Sequence, residues 1–163
     1  MAVEIGEELV GAYLTEIEEC DHVSYNVRAP GGGLRGLKEL DIVGLKFSAN
    51  TAYLCEVTTH LQGLLIGTGY ASTLKKIQEK HKWQVEYAQK NLSGFKPLYQ
   101  FWSPYVPKGA LLLGLRQIPD LLLVVNAEYT RRVRRLRDLA RDRKPSPTSN
   151  SAYRLIQILE KLR

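Results

Sequence analysis

The sequence predicts an α/β fold. The order is helix, three strands, helix, strand, short helix, strand and helix, with one more helix at the C-terminus. Three observations carry that expectation. Apolar residues recur at helical spacing over 2–19, 72–92 and 128–143. They alternate with polar ones over 22–28 and run almost unbroken over 120–126. Clusters rich in Gly, Pro, Ser and Asn separate these segments.

In the first helix Ile5, Leu9, Tyr13 and Ile17 recur every fourth residue, with Val10 and Leu14 widening the stripe. Glu7 and Glu8 sit in its first turns, where they favour the helix dipole. One of them is also placed to reach a site above the sheet. Residues 22–28 alternate as a half-buried strand, which Pro30-Gly31-Gly32-Gly33 ends. Those glycines lead into a strand and not a helix, so they read as a hairpin loop, with Arg28, Arg35 and Lys38 close by.

Residues 61–70 are glycine-broken and read as a loop with a short apolar anchor. Ser72 or Thr73 caps the long helix that follows, which ends before Ser93-Gly94. Its Lys76, Lys80, Trp83, Gln84 and Tyr87 fall near one another at steps of three and four. That stripe is open between an ordinary amphipathic face and a row facing a bound phosphate. Residues 95–106 are extended and aromatic, open between core packing and base stacking. Residues 109–118 form a short helix, and DLLLVVN at 120–126 has the pattern of a strand buried on both faces.

The helix at 128–143 carries arginines nearly all round it, among them Arg131, Arg134 and Arg135. A solvated charged face and a surface for backbone phosphates both fit. Domain organisation follows from composition: one domain over 1–143, a Pro- and Ser-rich linker at 144–150, and a helix over 151–163 that packs on the domain or on a partner.

The chain has 163 residues, a formal net charge of +6 and two cysteines. The charge favours a polyanionic partner. Cys20 and Cys55 have neither metal-ligand nor disulfide-framework spacing, which places the chain in a reducing cytoplasm. No secretory signal is visible, and the longest apolar runs are too short to span a bilayer, so no membrane partner is expected. His22, His60 and His81 are scattered and show no ligand spacing.

The chemistry concentrates at residues 39–60, ELDIVGLKFSANTAYLCEVTTH, which reads as two strands joined by a polar turn. Asp41 lies in the first and Glu56 in the second. Unpaired acids inside apolar strands are unusual, because burying a carboxylate is costly. By strand alternation Glu39, Asp41 and Val43 share one face, as do Glu56, Thr58 and His60. Two carboxylates converging from adjoining strands suit Mg2+ or Mn2+, which take oxygen ligands and keep several waters.

With the acids in that order and strand context, residues 4–143 resemble the PD-(D/E)XK, or restriction-endonuclease-like, nuclease superfamily, and most of all its small resolvase-like members. Gly6-Glu7 with Ala12-Tyr13-Leu14 is similar to that group's first helix, Glu39-Leu40-Asp41-Ile42-Val43 to its E-x-D strand, and Glu56-Val57-Thr58 to its E-V-K strand. Gln84 with Tyr87 is loosely similar to a Gln/Tyr helix motif. The resemblance implies a mixed central sheet flanked by helices, αβββαβ(α)βα. It implies metal binding by Asp41, Glu56 and Glu7. Thr58 stands where the family has lysine, and Lys76 or Lys75 from the next helix can replace that ammonium.

The resulting expectation is a Mg2+- or Mn2+-dependent nuclease that hydrolyses DNA phosphodiesters. Its catalytic residues would be Glu7, Asp41, Glu56, Thr58 and Lys76. Lys75, Lys80, Gln84, Arg131, Arg134 and Arg135 would contact nucleic acid. The alternative is an inactive module of the same fold that binds nucleic acid or protein. The apolar stripe of the last helix, Leu155, Ile156 and Leu159, also allows a homodimer.

Overall fold

The computed structural model describes residues 3–28, 39–145 and 147–162. Five strands form one mixed, open sheet flanked by helices. The strands β1 (His22–Arg28), β2 (Glu39–Lys46), β3 (Thr51–Val57), β4 (Lys96–Ser103) and β5 (Leu121–Val125) lie side by side in chain order. The first three pair antiparallel and the last three parallel. A single 3-10 turn at Phe47–Ala49 joins β2 to β3, with Asn50 in the left-handed region at φ 46°. Parallel neighbours need crossovers, which α2 (Tyr70–Asn91) and α3 (Ala110–Arg116) supply. The hairpin loop predicted at residues 30–33, with Arg35 and Lys38, lies outside the described residues.

One side of the sheet is covered by α1 (Ile5–Glu16) and α4 (Ala127–Asp142). Val10, Tyr13 and Leu14 pack there against Ile42, Tyr53, Cys55, Trp102 and Val124. On the other side α2 and α3 meet Val43, Leu54, Tyr99 and Phe101 through Ile77, Ala88, Leu111 and Leu115. The aromatic strand therefore serves the core: Phe101 and Trp102 are buried and do not form a stacking platform. Arg132 lies over the rings of Tyr13 and Trp102, at 5.2 and 5.0 Å, and pairs with Glu128.

The helix over α1 and α4 is α5 (Ser151–Lys161), so the C-terminal helix packs on the domain. Tyr153 joins Ala12, Leu136 and Ala140 in a small core. Asn150 caps α5, accepting from the Tyr153 N–H at 2.8 Å, and Glu8 accepts from the Ala152 N–H at 3.0 Å. Arg137 donates to the buried carboxylate of Glu160 at 2.7 Å.

Several expected boundaries move for local reasons. The first helix starts at Ile5, not residue 2, because Glu4 is its extended N-cap and the Glu7 carboxylate accepts from the Glu4 N–H at 3.2 Å. The second starts at Tyr70, ahead of Ser72 and Thr73. Both hydroxyls lie in its first turn and donate back to the carbonyls of Ile66 and Gly69. The DLLLVVN strand is an edge strand. Val124 packs towards α1 and α4, Leu121 and Leu123 towards α2 and α3, and Leu122 is 48% exposed.

Strict alternation also fails across β1 and β2. Tyr25 and Ile42 join the core on the α1 side, but Val27 and Leu40 pack on the α2 side with Val43. Between them Asn26 adopts a left-handed φ of 52°, and the Asn26–Asp41 position drops out of an otherwise regular ladder. The backbone rolls over at this point, and Asp41 sits beside the break.

Candidate active site

The relation of α2 to β3 builds the site. Gln84 is 1% exposed, and its Nε2 donates to the Leu54 carbonyl of β3 at 3.0 Å. One helical turn earlier the Lys80 ammonium meets the Glu56 carboxylate. One turn earlier again, Lys76 lines the same cleft as Thr58. The steps match: four helical residues advance roughly 6 Å and two strand residues roughly 6.6 Å. A helix running against the strand therefore sets Lys76, Lys80 and Gln84 beside residues 58, 56 and 54.

This corrects the expected roles on α2. The ammonium among the carboxylates is that of Lys80 and not Lys76, which lines the outer cleft. Lys75 is exposed and does not line it. Gln84 cannot reach a ligand, because both ends of its amide face protein: Nε2 bonds to Leu54 and Oε1 lies 3.2 Å from His81 Nδ1. Gln84→Ala is expected to lower unfolding free energy by about 1–3 kcal/mol in a urea titration, because it strips a buried hydrogen bond between helix and strand.

Asp41 and Glu56 do converge. Asp41 Oδ2 accepts from the Val57 N–H at 2.8 Å, and Oδ1 lies 3.7 Å from Lys80 Nζ. The Asp41 and Glu56 carboxyl groups lie within hydrogen-bonding reach of each other. Burial pushes both pKa values up, Glu56 well above the ordinary carboxylate range, where the Asp41 charge pushes it further and Lys80 only partly offsets this. Desolvation acts against the Lys80 ammonium, yet the pull of Glu56 and Asp41 outweighs it and raises its pKa. Two acids thus share one cation and keep a proton more readily than free carboxyls do.

The first helix separates its two glutamates. Glu8 faces α5. Glu7 is buried, and its pKa is raised first by burial and also by the charge of Asp41, towards which it stands. Among the described residues no group of three or more His, Cys, Asp or Glu is arranged to hold a metal. The donor set that fits is Asp41 with Glu56, two hard oxygen ligands whose charge one lysine leaves undercompensated. Mg2+ is commonly bound by one or two carboxylates, with phosphate and water completing its shell.

The cleft has a volume of about 440 Å³ and is lined by Glu56, Val57, Thr58, His60, Lys76 and Lys80, among others. Thr58 lies one residue past β3 and donates its N–H to the Trp102 carbonyl at 2.9 Å. The lone His60 is exposed at the cleft wall, a position its sequence neighbours did not signal.

The arginines of α4 do not line this cleft. Arg131 is paired with Glu128, Arg135 lies beside the Tyr13 hydroxyl, and Arg134 is exposed. Arg137 and Arg141 have acidic partners of their own. Cys20 and Cys55 are free and buried; burial lifts the Cys20 thiol to about 12 and the Cys55 thiol further, so neither is poised as a nucleophile. No helix of the described residues is long and apolar enough to cross a membrane.

Comparison with protein-family models, curated proteins and solved structures finds no match to this chain.

Proposed function

We propose that the chain is a divalent-cation-dependent nuclease of the PD-(D/E)XK type, acting on DNA at the Asp41–Glu56–Lys80 cluster. The observation that carries this reading is the meeting of the half-buried Asp41, the buried Glu56 and one ammonium, with Glu56 and Lys80 lining an open cleft, in a protein of net charge +6. The strand order supports it, with an antiparallel β1-β2-β3 followed by parallel β4 and a helix on each side. Asp41 and Glu56 would hold the cation. The chemistry that a bound Mg2+ or Mn2+ supplies is polarisation of the phosphate and acidification of a water.

Lys80 takes the part that Thr58 cannot. Thr58 is uncharged, whereas the Lys80 ammonium is already held among the acids. A fixed positive charge there stabilises negative charge growing on phosphate oxygens. Lys76, at the outer wall, attracts the strand's backbone. Glu7 adds negative charge that favours cation occupancy.

The test is incubation of the full chain with single-stranded, duplex and branched DNA, with Mg2+ or Mn2+ and with a chelator. Cation-dependent cleavage lost in Asp41→Asn is expected. No cleavage of any substrate at high protein concentration overturns the reading. In the same samples without DNA, Mn2+ is expected to raise Tm, by linkage to a site present only in the folded chain. Asp41→Asn should remove that rise.

One observation favours a second reading. Lys80 already compensates part of the acid pair without a metal, as it would in an inactive module that only binds nucleic acid. That module would bind DNA in a strongly salt-dependent way that survives both chelation and Asp41→Asn.

A further inference from the structure

The two edges of the sheet are built differently. β1 forms one edge and β5 the other. β1 is defended against further pairing. Polar His22, Ser24, Asn26 and Arg28 alternate along it, Asn26 breaks its ladder at a left-handed φ, and Arg28 closes its end in an ion pair with Glu39. Breaks and charges of this kind keep strand edges apart. β5 has none of them. Its residues, Leu121-Leu122-Leu123-Val124-Val125, include no charge and no proline, and the left-handed Asp120 and Asn126 fall outside it. Among the described residues no strand pairs with its outer side, so backbone N–H and C=O groups there lack ladder partners.

A groove of about 550 Å³ runs along that edge, lined by Lys108, Leu112, Arg116, Leu122 and Glu128, among others. Charge and symmetry say what fills it. The chain leaves β4, passes Lys108, and returns through α3 to the start of β5. Lys108 therefore lies by the end of β5, where Asn126 bonds to the Val106 backbone, and Asp120 lies at its start. Neither has an ion-pair partner among the described residues. An antiparallel copy of β5 brings the start of one strand to the end of the other. It sets each Asp120 beside the Lys108 of the second copy, and each Arg116 towards the other Glu128. A foreign strand needs an acid of its own opposite Lys108, whereas a second β5 already carries one there. Leu122, 48% exposed, then meets the second copy's Val124 on the same face. Contacts about a twofold axis are self-complementary in this way.

We infer that β5 pairs antiparallel with β5 of a second copy of the chain, centred on Leu123, and joins the two sheets into one. Leu123 is level with Phe101 and Glu56 across the sheet. The two acid clusters then fall on one face, roughly 24 Å apart, at about 4.8 Å per strand. The pairing does not depend on the nuclease reading.

The experiment is sedimentation equilibrium of the full chain over a range of concentrations, with amide hydrogen exchange on the same samples. A reversible dimer is expected, and the amides of residues 121–125 should exchange more slowly as it forms. Leu122→Lys is expected to weaken dimerisation by about tenfold or more, because it puts a charge on the seam. Lys108→Glu should weaken it by about threefold or more, and adding Asp120→Lys to that variant should restore it, since the charges are then exchanged and not lost. Leu122 and Lys108 are both exposed, so these replacements spare the core; circular dichroism confirms the fold.

A chain that stays monomeric at every concentration overturns the inference. So does a dimer indifferent to both Leu122→Lys and Lys108→Glu. A dimer that only Leu155→Asp dissociates assigns the contact to α5 and overturns it too. Loss of DNA cleavage with the dimer intact counts against the nuclease reading and leaves the pairing in place.

Discussion

Glu56→Gln is expected to lower DNA cleavage by about 10²-fold or more, yet leave the folded chain more stable at neutral pH. The two effects share one cause. Glu56 is buried beside Asp41, and its charged form is disfavoured by desolvation first and by that neighbour second. Glutamine keeps the shape and can still accept from Lys80, but it removes a charge from a place where charge is costly. It also removes an anionic oxygen ligand, which a hard cation needs.

The sign with pH follows. Asp41 and Glu56 have raised pKa values in the fold, while the unfolded carboxyls titrate near about 4. Between those values the native state holds more protons than the unfolded state. Their contribution to stability therefore falls as pH rises from the unfolded range through the raised folded values, and is flat beyond. Urea titrations from pH 4 to 8 should show this slope shrinking in Glu56→Gln. A steeper slope, or full activity, would contradict the assignment.

Lys80→Met should separate cation binding from catalysis. Removing the ammonium leaves two adjacent acids without their counter-charge. Breaking a buried pair from one side costs about 3–5 kcal/mol; Lys80 keeps about a third of its side chain in solvent, so about 1–2 kcal/mol is expected at pH 8. The loss should shrink towards pH 5, where the acids regain protons. Lys80 itself has a raised pKa, so its own contribution is complete below its unfolded value and fades only as pH rises through the folded one. Mn2+ should bind the variant more tightly, since no ammonium competes for the carboxylates. Cleavage should nonetheless fall by about 10²-fold, the usual loss when one charge-stabilising group is deleted. Tighter Mn2+ binding with weaker cleavage is a pattern that a purely structural lysine would not give.

What could be read from the sequence depended on range. Asp41 and Glu56 stood out because carboxylates are rare in runs such as Leu40-Asp41-Ile42-Val43, and antiparallel neighbours needed only a short turn to bring them together. The assignment of Lys80 needed the offset between α2 and β3. That offset is fixed by Gln84 on the Leu54 carbonyl, a contact 30 residues apart in sequence. The stripe Lys76, Lys80 and Gln84 was visible, but not which member met Glu56. Alternation failed where Asn26 adopts a left-handed φ, a backbone event with no hydrophobic signature. The arginines of α4 looked like a free basic face because Glu160, 23 positions beyond Arg137, comes from another helix.

Crystals of the full chain soaked in Mn2+ and measured at the manganese edge give the most direct test. A single strong anomalous peak is expected about 2 Å from carboxylate oxygens of both Asp41 and Glu56, with the Lys80 ammonium moved off Glu56. Saturating Mn2+ with no peak there, and Lys80 still paired to Glu56, would show that the acids serve the fold alone.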